Sequence, residues 1–378
     1  MRILQVTNFV SHLQLPVARS IASIVGEKNF RFAAMSKIDP NRVSLGWSDA
    51  DNDPWILKTY NNTQDMSKFN DWWDQADAII CGERLFEKMM SRVLNKKICF
   101  YMSERWWKPP IGAARILHPK FFQMTLLFRK LAKNPKFHYL PKGPYASKDI
   151  DYLSNLKERK WKWGYFRDNI KFTKNLNNPK PLSKVLWVGR MLSWKRVDTL
   201  IYALENLQKQ GFNAFLTLVG DGPCRKKLEY LAKRILNPSS YIFIDPIDVQ
   251  KISKLMSEND IYVLPSSAYE GWGAVINEAM SSGCAIVASK TAGAAAAMIK
   301  NNFNGLLFES GNLRELSFKL RLLIDDKNFG YKLIKEAKHT IENDWSANCA
   351  ANRFICVANS LLSDKLPPIY KNGPMSKA

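Results

Sequence analysis

Histidine is scarce in this sequence and its cysteines are scattered, which argues against a metal site. Only 4 histidines occur in 378 residues, and the 6 cysteines form neither a C-x-x-C pair nor a zinc-like spacing with histidine. We interpret the cysteines as buried, reduced thiols of a cytosolic protein. A pair of aspartates at a strand end is also lacking, because Asp49-Ala50-Asp51 lies in a polar loop. The sequence therefore predicts no bound metal.

Long apolar runs are lacking as well. No stretch reaches the roughly 18 apolar residues that a membrane-spanning helix requires. The opening residues, MRILQVTNFVSHLQLP, do not have the apolar core and cleavage site of a signal peptide. The expected location is the cytoplasm, either free or peripherally bound to the inner face of a membrane.

Acidic residues are few relative to basic ones. The 34 Asp and Glu residues stand against 56 Lys and Arg residues, so the formal net charge is +22 at pH 7. This balance favours an anionic partner, such as nucleic acid, an acidic membrane face or a phosphorylated small molecule. Net charge alone does not choose among them.

The apolar runs that do occur are short and alternate with stretches of helix-forming residues, which predicts parallel sheets covered by helices. The polar segment Lys174–Ser183 is interpreted as an interdomain linker. The predicted strands are Ile3–Thr7, Ala78–Cys81, Lys97–Tyr101 and Phe137–Leu140 before the linker, and Val185–Val188, Ala214–Val219, Tyr241–Ile244, Ile261–Leu264 and Ala285–Ser289 after it.

We predict an α/β fold with two doubly wound, Rossmann-like domains that face each other across a cleft. Residues 1–173 form the first domain, residues 182–345 form the second, and a helix within residues 346–365 returns towards the first. Ligands of such sheets bind beyond the carboxyl ends of the strands. Polar side chains that follow the strands are therefore the candidates for a functional site.

The clearest candidate, Tyr269–Gly283 (YEGWGAVINEAMSSG), follows the predicted strand Ile261–Leu264. Glu270 lies in its loop, and Glu278 lies eight residues later in a predicted helix. Ionised glutamates accept hydrogen bonds from hydroxyl groups. The glycines at positions 271 and 273 allow a ligand to approach the backbone closely. The segment predicts a site for an anionic or sugar-like ligand.

A second candidate is Leu186–Arg196 (LWVGRMLSWKR). Gly189 turns the chain after a predicted strand, and Arg190 and Lys195 follow within one loop. A planar guanidinium and a mobile ammonium together suit a diphosphate. Because the sequence is rich in Lys and Arg, solvated surface charge is the competing interpretation.

A third candidate is the turn Gly220-Asp221-Gly222-Pro223, which follows another predicted strand and precedes a predicted helix. Taken alone, it is interpreted as a structural corner. A loop that lines a nucleotide pocket is the alternative.

These segments, in this order, resemble the retaining glycosyltransferases of family 4, which are two-domain enzymes of the GT-B type. The similarity covers about residues 180–360, whereas the first 170 residues resemble the family only in their opening strand and general alternation. The motifs that carry it are Val188-Gly189-Arg190 through Lys195, Val219 through Pro223, Leu264-Pro265-Ser266, Glu270 through Glu278, Asn304-Gly305-Leu306-Leu307 and Trp345-Ser346.

The resemblance implies a hexosyltransferase with a nucleotide-diphosphate sugar as donor and a saccharide or lipid-linked saccharide as acceptor, in cell-envelope polysaccharide synthesis. Arg190 and Lys195 would bind the diphosphate, Glu270 the hydroxyls of the donor sugar and Glu278 the ribose. The resemblance also implies that no cofactor and no essential metal are needed, and the chemistry agrees, since two cations can neutralise the developing charge of a diphosphate. The implied donor-binding residues are Gly189, Gly220, Asp221, Gly271, Trp272, Gly273, Ala274 and Glu278.

The amino-terminal half departs from the family pattern. The loop Asn8–Pro16 lacks the glycines often found there, and Thr291–Ala297 lacks an often-present glutamate. His12, in the first of these loops, is a candidate for an acceptor or phosphate contact, and Glu104, after a predicted strand, could orient or deprotonate an acceptor hydroxyl. An ion pair of Glu104 with Arg105 or another neighbour is the competing interpretation.

The segment Lys120–Lys133 places apolar side chains along one stripe of a predicted helix, with basic residues beside it. Such a helix can lie on an anionic membrane surface, and packing of the stripe in the core is an equal alternative. The stripe consists of Phe121, Met124, Leu127, Phe128 and Leu131.

Two other functions stay open on the sequence alone. A sugar-nucleotide epimerase or phosphorylase has a similar architecture, and a nucleic-acid-binding protein would explain the basic charge. Carboxylates such as Glu270 and Glu278 repel phosphates, so we expect no nucleic acid partner. The expected partners are a sugar nucleotide, a saccharide or lipid-linked acceptor, and an anionic membrane surface.

Overall fold

Two parallel β-sheets, one in each half of the chain, confirm the predicted α/β class with two Rossmann-like domains. The computed structural model describes residues 1–43, 47, 51–108, 111–167, 174, 176 and 178–378. One compact unit comprises Met1–Val43, Ser48–Asp168 and Asp344–Ala378, and the other consists mainly of Asn169–Asn343. Each unit contains a six-stranded sheet.

The first sheet has the strand order β3-β2-β1-β4-β5-β6, and all its neighbouring strands are parallel. Every residue of the central strand β1 is buried, as expected of a parallel strand that is covered on both faces. The strands are β1 Ile3–Thr7, β2 Phe30–Ala34, β3 Ile56–Lys58, β4 Ala78–Cys81, β5 Ile98–Ser103 and β6 Phe137–Pro141. The helices are α1 Leu15–Val25, α2 Pro40–Val43, α3 Thr63–Gln75, α4 Phe86–Leu94, α5 Pro119–Lys133 and α6 Pro144–Asp151.

The strands β2 and β3 were not predicted from the sequence. Strand β2 contains a charged residue, Arg31, whose guanidinium lies 4.8 Å from the ring centroid of Trp72. Strand β3 has only three residues, which is too short for an apolar pattern to be recognised.

The second sheet has the order β12-β11-β10-β7-β8-β9 and is again parallel. All five strands predicted after the linker are confirmed to within one residue. The strands are β7 Lys184–Val188, β8 Phe215–Val219, β9 Tyr241–Ile244, β10 Ile261–Leu264, β11 Ala285–Ser289 and β12 Leu306–Phe308. The helices are α7 Val197–Lys209, α8 Arg225–Ile235, α9 Val249–Glu258, α10 Val275–Ser281, α11 Gly293–Met298, α12 Leu313–Asp325 and α13 Lys327–His339.

The order of the second sheet reverses at β7. Strands β8 and β9 follow β7 on one side, and β10, β11 and β12 lie on the other. The carboxyl ends of β7 and β10 therefore form the topological switch point, which is where open α/β sheets bind ligands.

A carboxyl-terminal helix, α14 Ala347–Leu362, packs against α1 within the first unit. The Ser346 side chain caps it by accepting a hydrogen bond from the Cys349 backbone N–H at 3.2 Å. The Trp345 ring stacks on Phe166 with 6.2 Å between the centroids. The Trp345-Ser346 pair noted in the sequence thus fixes the start of this helix.

The apolar stripe of helix α5 packs in the core, as one of its two interpretations proposed. Phe128 and Leu131 are fully buried, and Phe121, Met124 and Leu127 pack against the same core cluster. No helix among the described residues combines the length and apolar character needed to cross a membrane.

We expect Ser346→Ala to lower the free energy of unfolding by about 1 kcal/mol, because a cap on a backbone N–H is lost. The matched control is Ser360→Ala in the same helix, where the hydroxyl bonds only to the carbonyl of Cys356. Urea unfolding and amide hydrogen exchange of α14 measure the effect. Equal stability of the two variants would contradict the capping role.

Candidate active site

Three loops are joined to one another at the carboxyl edge of the second sheet. The Gly189 N–H donates to the carbonyl of Val219 at 3.0 Å, and the Met191 N–H donates to that of Asp221 at 2.8 Å. The Ser267 N–H donates to the carbonyl of Trp194 at 2.8 Å. The loops that follow β7, β8 and β10 are therefore linked by backbone hydrogen bonds at the switch point.

An ion pair between Lys195 and Glu270 lies where the β7 and β10 loops meet. The Lys195 Nζ donates to Glu270 Oε2 at 2.6 Å, and the two side chains are 16% and 9% exposed. The same ammonium lies 4.5 Å from the ring centroid of Trp194, which stacks on Tyr269 with 6.2 Å between the centroids. A carboxylate and an aromatic face thus hold the cation in one position.

Glu278, in a helix, and Glu270, in a loop, both lie close enough to Tyr262 for their charges to act on it. Burial raises the pKa of the Tyr262 hydroxyl well above its usual value, and the charges of both glutamates raise it further. That hydroxyl donates to the carbonyl of Val188 at 3.2 Å. Both glutamates are largely buried. Two predicted site carboxylates therefore act on the same tyrosine at the end of β10.

Arg190 and Asp221 present exposed side chains at this edge. Arg190 shares the β7 loop with Lys195, as the sequence predicts. Arg225 supports the neighbouring turn, because its Nη1 donates to the carbonyl of Gly220 at 2.9 Å. The exposed guanidinium of Arg190 is in a position to contact a ligand that reaches this loop.

Trp272, a predicted donor contact, is a buried part of the loop. Its ring is 1% exposed, and its indole N–H donates to Asn277 Oδ1 at 2.9 Å. The Ala294 N–H donates to the carbonyl of Trp272 at 2.7 Å. The indole thus stabilises the loop that carries Glu270. Beside it, a Cβ at Gly293 would collide with the carbonyl oxygen of Gly271, so the chain needs glycine there.

Two serines just after β10, Ser266 and Ser267, also lie at this edge. Neither was predicted as a site residue, although Ser266 belongs to one of the family motifs. The hydroxyls of Ser266 and Ser267 are buried, and neither has a hydrogen-bond partner in the part of the chain that the structure describes. The available signal was a pair of polar residues directly after the apolar run of β10. Each hydroxyl therefore keeps an unused hydrogen-bond donor at this edge.

The two acceptor candidates, His12 and Glu104, lie in the first unit. Burial and the charges of Arg167 and Arg42 lower the pKa of His12 to about 4, so the imidazole is neutral at pH 7. Glu104 accepts a hydrogen bond from Lys108 at 3.1 Å, so its ion-pair partner is Lys108.

Glu104 is held in its ionised form. Burial raises the pKa of this carboxyl, but the charges of Lys108 and Lys142 and hydrogen bonds from Lys108 and Tyr165 together lower it. Arg105, the partner considered from the sequence, pairs with Asp149 at 3.3 Å. Across the described residues, no group of three or more His, Cys, Asp or Glu side chains could hold a metal ion.

Part of the second unit matches a known family. Residues 167–340 match the model described as glycosyl transferases group 1. An uncharacterized glycosyltransferase of Methanocaldococcus jannaschii is 26% identical over 192 residues, which are 51% of this chain and 48% of that protein. An N,N'-diacetylbacillosaminyl-diphospho-undecaprenol alpha-1,3-N-acetylgalactosaminyltransferase of Campylobacter jejuni is 31% identical over 188 residues, 49% of this chain and 46% of that protein. The chain spans about half the length of these curated relatives.

Solved structures extend the likeness to the whole chain. HepE from Anabaena in complex with UDP has a TM-score of 0.67 at 18% identity, covering 96% of this chain and 100% of that one. A glycosyltransferase from Rickettsia africae has a TM-score of 0.68 at 16% identity, covering 96% and 99%. The chain therefore has the fold of GT-B glycosyltransferases. Within that fold, residues 167–340 are similar to glycosyl transferases group 1.

The close approach of the β7 and β8 loops predicts that Gly220→Ala destabilises the chain. Gly220 has φ +127°, and a Cβ there would collide with the carbonyl oxygen of Gly189. The control Gly211→Ala also has a positive φ, +83°, but its Cβ would meet no atom within 4 Å. We expect the larger fall in melting temperature for Gly220→Ala. A larger fall for Gly211→Ala would show that the close approach is unimportant.

Proposed function

We propose that the chain is a retaining, metal-independent glycosyltransferase of family 4 that transfers a hexose-type sugar from a nucleotide-diphosphate donor. The ion pair of Lys195 and Glu270 at the switch point is the observation that carries this proposal. It brings together one group suited to a diphosphate and one suited to sugar hydroxyls. The Anabaena protein HepE, which has a similar fold, was crystallised with UDP-glucose.

The charges at the site suit the departure of a nucleoside diphosphate. Negative charge develops on the diphosphate as its bond to the sugar breaks, and Arg190 and Lys195 neutralise that charge. Glu270 accepts hydrogen bonds from hydroxyls of the sugar, and Glu278 accepts them from the ribose. Since Glu270 also holds Lys195 at 2.6 Å, it orients the cation before the donor arrives.

Lys195→Ala should reduce turnover by about 10²–10³-fold, because a preorganised donor to the developing charge is lost, and added magnesium should not restore it. Glu270→Gln should also reduce turnover, whereas Glu278→Gln should mainly weaken nucleotide binding. The measurements are thermal shifts with UDP-, GDP- and ADP-sugars, and then nucleotide release with membrane lipid extract as the acceptor source.

The control for Lys195 is Lys209→Ala, which breaks an ion pair of the same 2.6 Å length with Glu205 on the surface of α7. Its turnover should equal that of the wild type. Equal activity of Lys195→Ala and Lys209→Ala would contradict the proposed role. A donor sugar that is epimerised without any acceptor would show that the chain is an epimerase.

We further propose that the acceptor is a saccharide or lipid-linked saccharide of the cell envelope, reached at an anionic membrane surface. The Campylobacter jejuni relative is named for an undecaprenol-linked substrate. In this chain, residues 105–136 include eight Lys and Arg residues and no Asp or Glu. Leu117, Phe122 and Leu126, in and just before α5, are 82%, 49% and 42% exposed. Exposed apolar side chains among basic ones suit the headgroup region of an anionic membrane.

The double variant Leu117→Asp/Phe122→Asp should bind anionic phospholipid vesicles at least about tenfold more weakly, because apolar contact is lost and charge is reversed. Phe318→Asp is the control. Phe318 is 46% exposed in the second unit and also lies beside basic residues, Lys319 and Arg321. Vesicle co-sedimentation measures binding, and an equal loss in both variants would argue against this surface.

A further inference from the structure

Lys142 is a buried lysine whose ammonium lies against an aromatic ring. It follows β6 at the carboxyl edge of the first sheet, and it is 6% exposed. Its Nζ lies 3.9 Å from the ring centroid of Tyr165. Among the described residues, no hydrogen bond or ion pair reaches this ammonium. Burying a cation in this way costs free energy, so its retention calls for a functional explanation.

The nearby carboxylate is already occupied by other groups. Glu104 accepts a hydrogen bond from the Tyr165 hydroxyl on Oε1 and one from Lys108 on Oε2, both at 3.1 Å. Burial lowers the pKa of Lys142 to about 8, and the charge of Glu104 only partly opposes this. The site is thus built so that Glu104 fixes Tyr165 and leaves the Lys142 ammonium available.

Two arginines add positive charge at the same edge of the sheet. The Arg42 guanidinium lies 5.0 Å from the ring centroid of Phe9, in the loop after β1, and its charge acts on both His12 and Tyr165. The charge of Arg167 also acts on His12. The neutral imidazole of His12 can donate one hydrogen bond without adding charge.

We propose that Lys142, Arg42, Arg167 and His12 bind a phosphate group carried by the acceptor substrate. Lys142 supplies a desolvated ammonium, and the arginines supply planar donors that match phosphate oxygens. The carboxyl edge of a parallel sheet is where such ligands bind. The identification of the ligand as the acceptor rests on the proposed transferase function. The presence of the phosphate site does not.

The test uses the full chain and inorganic phosphate as the probe, with binding measured by calorimetry. Lys142→Met keeps the apolar stem and removes the charge, and it should weaken phosphate binding at least about tenfold. Arg167→Gln should weaken it several-fold. The matched control, Lys148→Met, alters an exposed lysine on α6 and should bind phosphate as the wild type does. Since Lys142→Met removes an unpaired buried charge, its melting temperature should be unchanged or higher.

Unchanged phosphate affinity in Lys142→Met would overturn the proposal. Loss of binding in Lys195→Ala, with Lys142→Met unaffected, would also overturn it, since phosphate would then occupy the donor site. An equal loss of phosphate affinity in Lys148→Met would also overturn the proposal, because it would show that phosphate binds non-specifically.

A transfer assay then distinguishes this proposal from the transferase function. Paired acceptor saccharides, with and without a phosphate, should differ at least about tenfold in kcat/KM, and Lys142→Met should narrow that ratio. If Lys142→Met leaves the ratio of the two kcat/KM values unchanged, the bound phosphate does not belong to the acceptor, and that part of the proposal is overturned. If phosphate binds through Lys142 but no sugar nucleotide binds or reacts, the phosphate site stands and the transferase function fails.

Discussion

The candidate active site depends on the close backbone approach between the loops that follow β7 and β8. The Gly189 N–H bonds to Val219, and Gly220 leaves no room for a side chain against the Gly189 carbonyl. This contact sets the path of the β7 loop, which carries Arg190 and Lys195. The backbone positions of Arg190 and Lys195 therefore follow from this contact, and side-chain contacts then fix the Lys195 ammonium.

Contacts within the chain also position the loop that carries Glu270. Trp272 is buried and bonded to Asn277, and the Gly271 and Trp272 carbonyls accept hydrogen bonds from the start of α11. The loop that holds Glu270 is thus supported from both ends. Because backbone hydrogen bonds fix both loops and join them to each other, Lys195 and Glu270 can meet at 2.6 Å although they lie 75 residues apart. A site supported in this way can keep its geometry when a ligand replaces one of its contacts.

The sequence predicts the second sheet closely because its strands are continuous apolar runs followed by glycine or polar residues. It misses β2, which contains a charged residue, and β3 and β12, which have only three residues each. At the site, the predicted residues Lys195 and Glu270 are brought together, but their pairing has no local signal. Lys142 resembles any other lysine in the sequence, since its burial depends on a tyrosine and a glutamate that lie far from it along the chain.

Lys195 in the second unit and Lys142 in the first are buried lysines with opposite surroundings. In the second unit, Lys195 has a carboxylate partner, so the charge is largely compensated within the chain. In the first unit, Glu104 is occupied by Tyr165 and Lys108, and within the described part of the chain the Lys142 ammonium contacts only an aromatic face. A buried lysine that is paired with a carboxylate costs little free energy of folding, and it binds an anionic ligand by exchanging the carboxylate for that ligand. A buried lysine without such a partner lowers the stability of the protein until an anion binds. The large net charge of +22 therefore includes at least one cation whose retention is best explained by a ligand.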